Sequence, residues 1–342
     1  MSQTANQILE TLLSAKDIGE DSAYSLMTEL AEGVVAPPLA GALLTALRLK
    51  GESAEEVRGF ARAMRDVAIP VSLDPEQTTI DIVGTGGDGS NSFNLSTGTA
   101  LLSAAAGLQV AKHGNRSVSS KSGSADVLEA LGITLAADAA AVSGLLNKYN
   151  FAFLFAPFFH PAMKNIAPIR QALGIRTLFN ILGPLTNPAQ PTHYLLGAFS
   201  SEMAQLMANA LSGMNIERAF VIHGCNGWDE PTPICSFEIY DVTPNNIQFA
   251  TRDPQEFGIP KCSGEDLQGG SAEYNAKSLL NVFENKDQGA HRDALMLGTA
   301  LALELTGTAT NIQEGVQHAK ETIENGAAAK FIRNLMQPDS VL

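Results

Sequence analysis

A chain of 342 residues, 45% of them hydrophobic and 17% charged, is long enough to bury more than one core and has the composition of an ordinary globular protein. Its 22 basic and 36 acidic residues leave a formal net charge of −14, which excludes a nucleic-acid-binding surface. No run of about 18 uncharged apolar residues is present to cross a membrane.

The N-terminal MSQTANQILETLL lacks the basic region and apolar stretch of a secretory signal, so a cytoplasmic location is expected. Cys225, Cys235 and Cys262 are an odd set without CxxC spacing. That pattern predicts reduced thiols, and neither a disulfide framework nor a structural zinc site. Residues 1–70 read as a small helical domain. Pro37 and Pro38 open a helix that LAGALLTALRLK carries to Gly51, a glycine suited to a helix end. Ser53 and Glu56 form a capping box for the next helix, Ala54 to Val67. IPVSLDPEQTT, residues 69–79, reads as a linker.

From there strand and helix alternate. TTIDIV, LQVAKHG, FAFLFAP, YLLGAFS and RAFVIHG read as strands, and STGTALLSAAAG, SADVLEALG and SEMAQLMANALSGM as helices. The C-terminal NAKSLLNVF, HRDALMLGTALALELTG and NIQEGVQHAKETIENGAAAKFIRNLM are helical. Residues 78–342 are therefore expected to form a larger α/β domain, with a mostly parallel central sheet covered by helices.

Three stretches of that domain carry chemistry. DIVGTGGDGSNSFNLSTG places five glycines between a strand and a helix. Two readings account for them: a tight turn with nothing bound, or a backbone nest for an anion at a helix N-terminus. Asn94, Ser96 and Thr97 stand where they can cap that helix, hold a phosphate or ligate a cation. The second strand runs into KHGNRSVSSKSGS. No acidic residue occurs between Asp88 and Asp126, whereas Lys112, Arg116 and Lys121 are basic. A basic, glycine-rich tract in an acidic chain suits a molecule with more than one phosphate. Beyond RAFVIHG, the adjacent Asp229 and Glu230 are hard oxygen ligands of the kind Mg²⁺ takes, or else a solvated acidic turn. His113 is the candidate general base; His160, His193, His223, His291 and His318 are assigned to structure.

Taken together, GTGGD, NLST, KHGNRSVSS, SGSADVLEALG, HPAMK and RTLFNILGPLTNP resemble the anthranilate phosphoribosyltransferases, within the wider nucleoside phosphorylase and phosphoribosyltransferase superfamily. The resemblance implies transfer of a phosphoribosyl group from 5-phosphoribosyl 1-diphosphate to anthranilate in tryptophan biosynthesis. It implies donor binding by Gly84, Gly87, Asp88, Ser92, Asn94, Leu95, Ser96 and Thr97 in the first loop. In the second it implies Lys112, His113, Gly114, Asn115, Arg116, Ser117, Val118, Ser119 and Ser120, with Ser124 beyond. It further implies a pair of Mg²⁺ ions per monomer at Ser96, Asp229 and Glu230, and anthranilate at Gly84, Asn115 and Arg170. A homodimer through the helical domain is also implied, with part of segment 168–188 joining that domain and Arg170 near the hinge. Two positions depart from the family pattern: Pro231 where an aliphatic residue commonly follows the acidic pair, and Gly298 where asparagine is frequent. A pyrimidine nucleoside phosphorylase and a non-catalytic nucleotide-binding protein remain as alternative readings.

Overall fold

The computed structural model describes residues 4–117 and 121–337. Four helices open it: α1 Ala5–Leu13, α2 Gly19–Glu32, α3 Pro37–Lys50 and α4 Ala54–Asp66. Reciprocal capping boxes start α1 (Thr4 with Gln7) and α4 (Ser53 with Glu56), so both helix starts are written in the local sequence. Their apolar faces close on one core that contains Leu26, Leu43, Leu47 and Phe60. Glu56 is buried beside it because its carboxylate is fully used: it accepts the Ile18 N–H at 3.0 Å and pairs with Lys50 at 2.8 Å.

An extended linker leads to β1 Thr79–Gly84, α5 Leu95–Ala105, β2 Gln109–Gly114, α6 Ser124–Ala130, α7 Ala139–Tyr149 and β3 Phe151–Phe155. Next come α8 Ala156–Phe159, α9 Met163–Leu173, α10 Phe179–Leu182, β4 His193–Gly197, α11 Ser201–Ser212 and β5 Arg218–His223. A hairpin, β6 Phe237–Thr243 and β7 Asn246–Arg252, precedes α12 Ala272–Phe283, α13 Ala290–Leu305, α14 Ile312–Glu324 and α15 Ala327–Met336. Among the described residues the strands form one seven-stranded sheet in the order β3-β2-β1-β4-β5-β6-β7. The first five are parallel and the last two antiparallel. Strands β1 to β5 read as near-continuous apolar runs because helices cover both faces. On one face, α5 and α12–α15 close a large core; on the other, Tyr194, Leu196 and Val221 share a core with α11 and with α1–α4. Ile166 of α9 and the run Leu178 to Leu185 also enter that second core. None of the described helices is long and apolar enough to cross a membrane.

The expectation of three reduced thiols is corrected. Cys225 and Cys235 are joined in a disulfide, their Cα atoms 6.2 Å apart, and Cys262 is free. The loop between β5 and β6 doubles back on itself, with the Gly224 N–H donating to the Trp228 carbonyl at 2.8 Å. A ten-residue spacing gives no sign of such a return, which is why the pair was not apparent from spacing alone.

Candidate functional site

The carboxyl ends of parallel strands form the natural cleft of such a sheet, and here β1, β2 and β5 each deliver a loop to it. The β5 loop folds across the ends of β1 and β4. A side chain at Gly84 would collide with the Asp229 carboxylate, and one at Gly197 with the Asp229 backbone carbonyl. Past Gly84 the chain turns through Gly86, Gly87 and Gly89, at φ +68°, +74° and +75°. That left-handed region is where glycine costs least, so these glycines answer a backbone requirement. The Gly86 N–H donates to Asp229 Oδ2 at 2.6 Å, and Asp88 Oδ1 accepts the Ser90 N–H at 3.0 Å. Asp88 Oδ2 is buried without a partner among the described residues. Ser92 donates its N–H to Ser90 Oγ at 3.2 Å, and Leu95 is buried in the core.

At the start of α5, capping, one of the three roles open to Asn94 from the sequence, is not the one it takes. Asn94 precedes the helix but makes no capping bond; its Oδ1 accepts from Asn275 Nδ2 at 2.7 Å, and its Nδ2 reaches the Ser122 carbonyl. The first-turn amides are thereby left for other acceptors, and the Ser96 N–H donates to Glu230 Oε1 at 3.2 Å. Thr97 donates its hydroxyl to Ser124 Oγ at 2.9 Å, which ties α5 to the start of α6.

Asp229 and Glu230 thus meet the glycine loop and the α5 N-terminus together. Burial and the mutual repulsion of nearby carboxylates, Asp88 included, push Asp229 up to about 7 and Glu230 well above the usual carboxylate range. Lys112 is also buried, donating to the Ile82 carbonyl and to Ser96 Oγ at 3.4 Å. Burial lowers its pKa, opposed by the charges of Asp81, Glu230 and Asp229. No group of three His, Cys, Asp or Glu among the described residues forms a complete cation cage. Two hard carboxylates beside a serine hydroxyl nevertheless fit Mg²⁺, which commonly takes one or two carboxylates and completes its shell with waters and substrate phosphates. Pro231 and Gly298 line a small gap with Ser96, Thr99 and Glu230. A Cβ at Gly298 would lie 2.5 Å from Thr99 Oγ1, and the two departures from the family pattern share this gap with Glu230.

Under β2, buried Asp81 accepts the His113 N–H at 3.2 Å and Asn187 Nδ2 at 2.8 Å, and burial pushes its carboxyl up to about 6. His113 Nδ1 lies 3.2 Å from the Gly183 carbonyl, and its ring is 5.1 Å from that of His160. Burial pushes His113 down to about 3 and His160 down to about 4, so both rings are neutral near pH 7. An imidazole that weakly basic is poorly matched to general-base work. Sequence reasoning set His160 aside as structural. The structure places it buried against His113, in the apolar run FAPFFHPAM.

Arg116 of the basic tract is committed within the protein. Arg116 pairs with Glu129 at 2.6 Å and with Asp126 at 2.9 Å, and its guanidinium lies 5.4 Å from the Phe155 ring centre. Asp126 also accepts the N–H groups of Ser117 and Gly123. Asn115 accepts the Arg116 N–H at 2.7 Å, and a Cβ at Gly114 would lie 2.8 Å from the Phe153 ring. Val118, Ser119 and Ser120 lie outside the described residues. On α9, Arg170 is half-buried, its guanidinium 5.2 Å from the Phe179 ring centre, and no carboxylate among the described residues pairs with it. Burial lowers its pKa. No hydrogen bond joins Arg170 to Gly84 or Asn115.

Comparison with known proteins agrees with this fold. Residues 6–68 match the glycosyl transferase family helical bundle domain, and residues 76–329 match the glycosyl transferase family a/b domain. An anthranilate phosphoribosyltransferase from Acetivibrio thermocellus is 44% identical over 96% of this chain and 95% of its own length. The crystal structure of anthranilate phosphoribosyltransferase from Thermus thermophilus superposes with a TM-score of 0.90 at 39% identity, covering 96% of this chain and 98% of that one. The Saccharomyces cerevisiae enzyme in complex with PRPP and Mg superposes with a TM-score of 0.88 at 28% identity, covering 99% and 98%. With both parts matched in order and relatives aligned almost end to end, the chain belongs to the anthranilate phosphoribosyltransferase family.

Proposed function

We propose that the chain transfers the 5-phosphoribosyl group of 5-phosphoribosyl 1-diphosphate to the amine of anthranilate, giving N-(5-phosphoribosyl)anthranilate and diphosphate, in tryptophan biosynthesis in the cytoplasm. The observation that carries this reading is the pair of buried Asp229 and half-buried Glu230, held against the glycine loop and the first turn of α5. The yeast family member is described with PRPP and Mg, and in another structure with 4-fluoroanthranilate, which supports the same ligands here.

In this reading Ser96, Asp229 and Glu230 hold Mg²⁺, a pair of ions per monomer. Bound Mg²⁺ neutralises charge that grows on the departing diphosphate. Gly84, Gly87, Asp88, Ser92 and Asn94 to Thr97 line the donor on one side. Lys112 to Ser120 and Ser124 line it on the other. The Gly86 N–H donates to Asp229, which holds the glycine loop against the residues that would bind the cation. Arg170 takes the carboxylate of anthranilate in its planar fork, and Asn115 and Gly84 complete the acceptor side. The amine then attacks C1′ as the C1′–O bond to diphosphate breaks, through a centre with oxocarbenium character. The N–H nest and helix end stabilise the departing negative charge, and positioning of the amine supplies the rest. His113, held neutral, serves as a wall of the cleft. Calorimetry tests the donor assignment: 5-phosphoribosyl 1-diphosphate is expected to bind in the presence of Mg²⁺ and to lose most of its affinity when the metal is chelated. Equal binding without metal would contradict the assigned role of the acidic pair.

The division into residues 1–70, joined in space by part of 168–188, and residues 78–342 belongs to the same reading. So does a homodimer through the helical part. An open apolar groove of about 1020 Å³ runs between α1, α3 and α9, beside Leu13, Val34 and Leu49, which are 64%, 68% and 81% exposed. A second copy of the chain would cover this groove and its three exposed apolar side chains. The Leu13→Glu/Leu49→Glu variant is expected to sediment as a monomer with an unchanged circular dichroism spectrum. A dimer that survives both charges would place the interface elsewhere.

A further inference from the structure

Between α9 and α10 the chain crosses from the helical layer toward the glycine loop, and a single exposed side chain spans the gap. Arg176 donates from Nη2 to the Gly87 carbonyl, and its guanidinium lies 4.7 Å from the Phe199 ring centre. Its own carbonyl is held from behind by the guanidinium of Arg48 on α3. The next residue is fixed too, with the Thr177 N–H donating to Asn180 Oδ1 at 3.1 Å. No carboxylate among the described residues pairs with Arg176. Its bond to the Gly87 carbonyl ties the segment between α9 and α10 to loop 84–92. A Cβ at Gly87 would lie 3.0 Å from Nη2, so a side chain there would push against this contact.

The consequence follows from peptide geometry. A trans peptide points its C=O and the following N–H in opposite directions. Holding the Gly87 carbonyl toward the hinge therefore turns the Asp88 N–H away from it, and neither the Gly87 nor the Asp88 N–H has a partner among the described residues. We infer that Arg176 is a positioning residue: it sets the Gly87–Asp88 peptide plane so that the Asp88 amide is preorganised for the diphosphate of the donor, and it links that loop through Arg48 to the helical layer. This inference rests on the proposed donor site, but one of its tests does not.

The test compares the wild-type protein with Arg176→Ala and Arg176→Lys. In the unliganded protein, amide hydrogen exchange across residues 84–92 is expected to quicken in Arg176→Ala while exchange in β1 to β5 is unchanged. In steady state the KM for 5-phosphoribosyl 1-diphosphate should rise about tenfold or more, the scale of one lost charge-assisted hydrogen bond, with the KM for anthranilate nearly unchanged. Arg176→Lys keeps a donor for the Gly87 carbonyl and should recover part of the loss. Unchanged loop exchange in Arg176→Ala, or an equal rise in both KM values, would overturn the inference. If the wild-type protein bound no donor, the functional reading would fall, and loop exchange would still decide whether Arg176 sets the loop.

Discussion

Replacing Asp229 and Glu230 together by alanine is expected to lower turnover by about 10²-fold or more while the protein remains folded. The two carboxylates sit at the one place where the β5 loop, the glycine loop and the α5 N-terminus meet. Their raised pKa values show what their burial costs in the absence of a cation. Removing them takes away that desolvation cost, and Lys112 keeps Asp81 as a charge partner. The thermal midpoint of the double variant in Mg²⁺-free buffer should therefore be no lower than that of the wild type, although catalysis is lost. Steady-state rates across a Mg²⁺ titration read the catalytic half of the prediction, and a thermal melt reads the other. Near-normal turnover would remove the pair from the chemistry.

Arg170→Ala should raise the KM for anthranilate roughly 10- to 150-fold, the range of about 1.5–3 kcal/mol for a hydrogen bond to a charged group, and leave donor binding nearly intact. The motive is a half-buried guanidinium that burial has made more costly and that no acidic side chain among the described residues neutralises. A bidentate carboxylate is the partner its planar fork is shaped to take. Arg170→Lys would keep the charge and lose the fork, so only part of the affinity should return. A parallel rise in the KM of both substrates would show that Arg170 acts through its packing on Phe179.

Much of the fold could be read before the coordinates because its signals are local. The Ser53–Glu56 box, the Pro37 start and the Gly51 end are each fixed by neighbours within four residues. Strands β1 to β5 were legible for another reason: burial on both faces leaves apolar runs that alternate with helices. The hairpin of β6 and β7 escaped notice because β7 is largely exposed at the sheet edge and carries no buried stripe. Helix α9 is hard to read for a different reason: it carries Pro168 inside it and buries only Ile166.

The site divides along the same line. The glycines of loop 84–89 and the pair at 229–230 announced themselves because backbone conformation and adjacent charges are visible in one dimension. The partners that decide what each side chain does are distant in sequence. Lys112 looks like a free cation in KHGNRS, yet it is folded inward against Ser96 and the acidic pair. Arg116 looks available and is held by Glu129, thirteen residues on. Asn94 looks like a cap and instead joins Asn275, from the other end of the domain. The disulfide and Arg176 belong with these: each depends on a chain return that no spacing rule reports.

The central claim is that the amine of anthranilate is the nucleophile. Its most direct test mixes the purified protein with Mg²⁺, 5-phosphoribosyl 1-diphosphate and anthranilate, and follows the decay of anthranilate fluorescence beside a parallel reaction with uridine and inorganic phosphate. Enzyme-dependent loss of fluorescence that needs both the donor and Mg²⁺ is expected, with no phosphorolysis of uridine. Persistent fluorescence together with release of uracil would contradict it and identify a nucleoside phosphorylase.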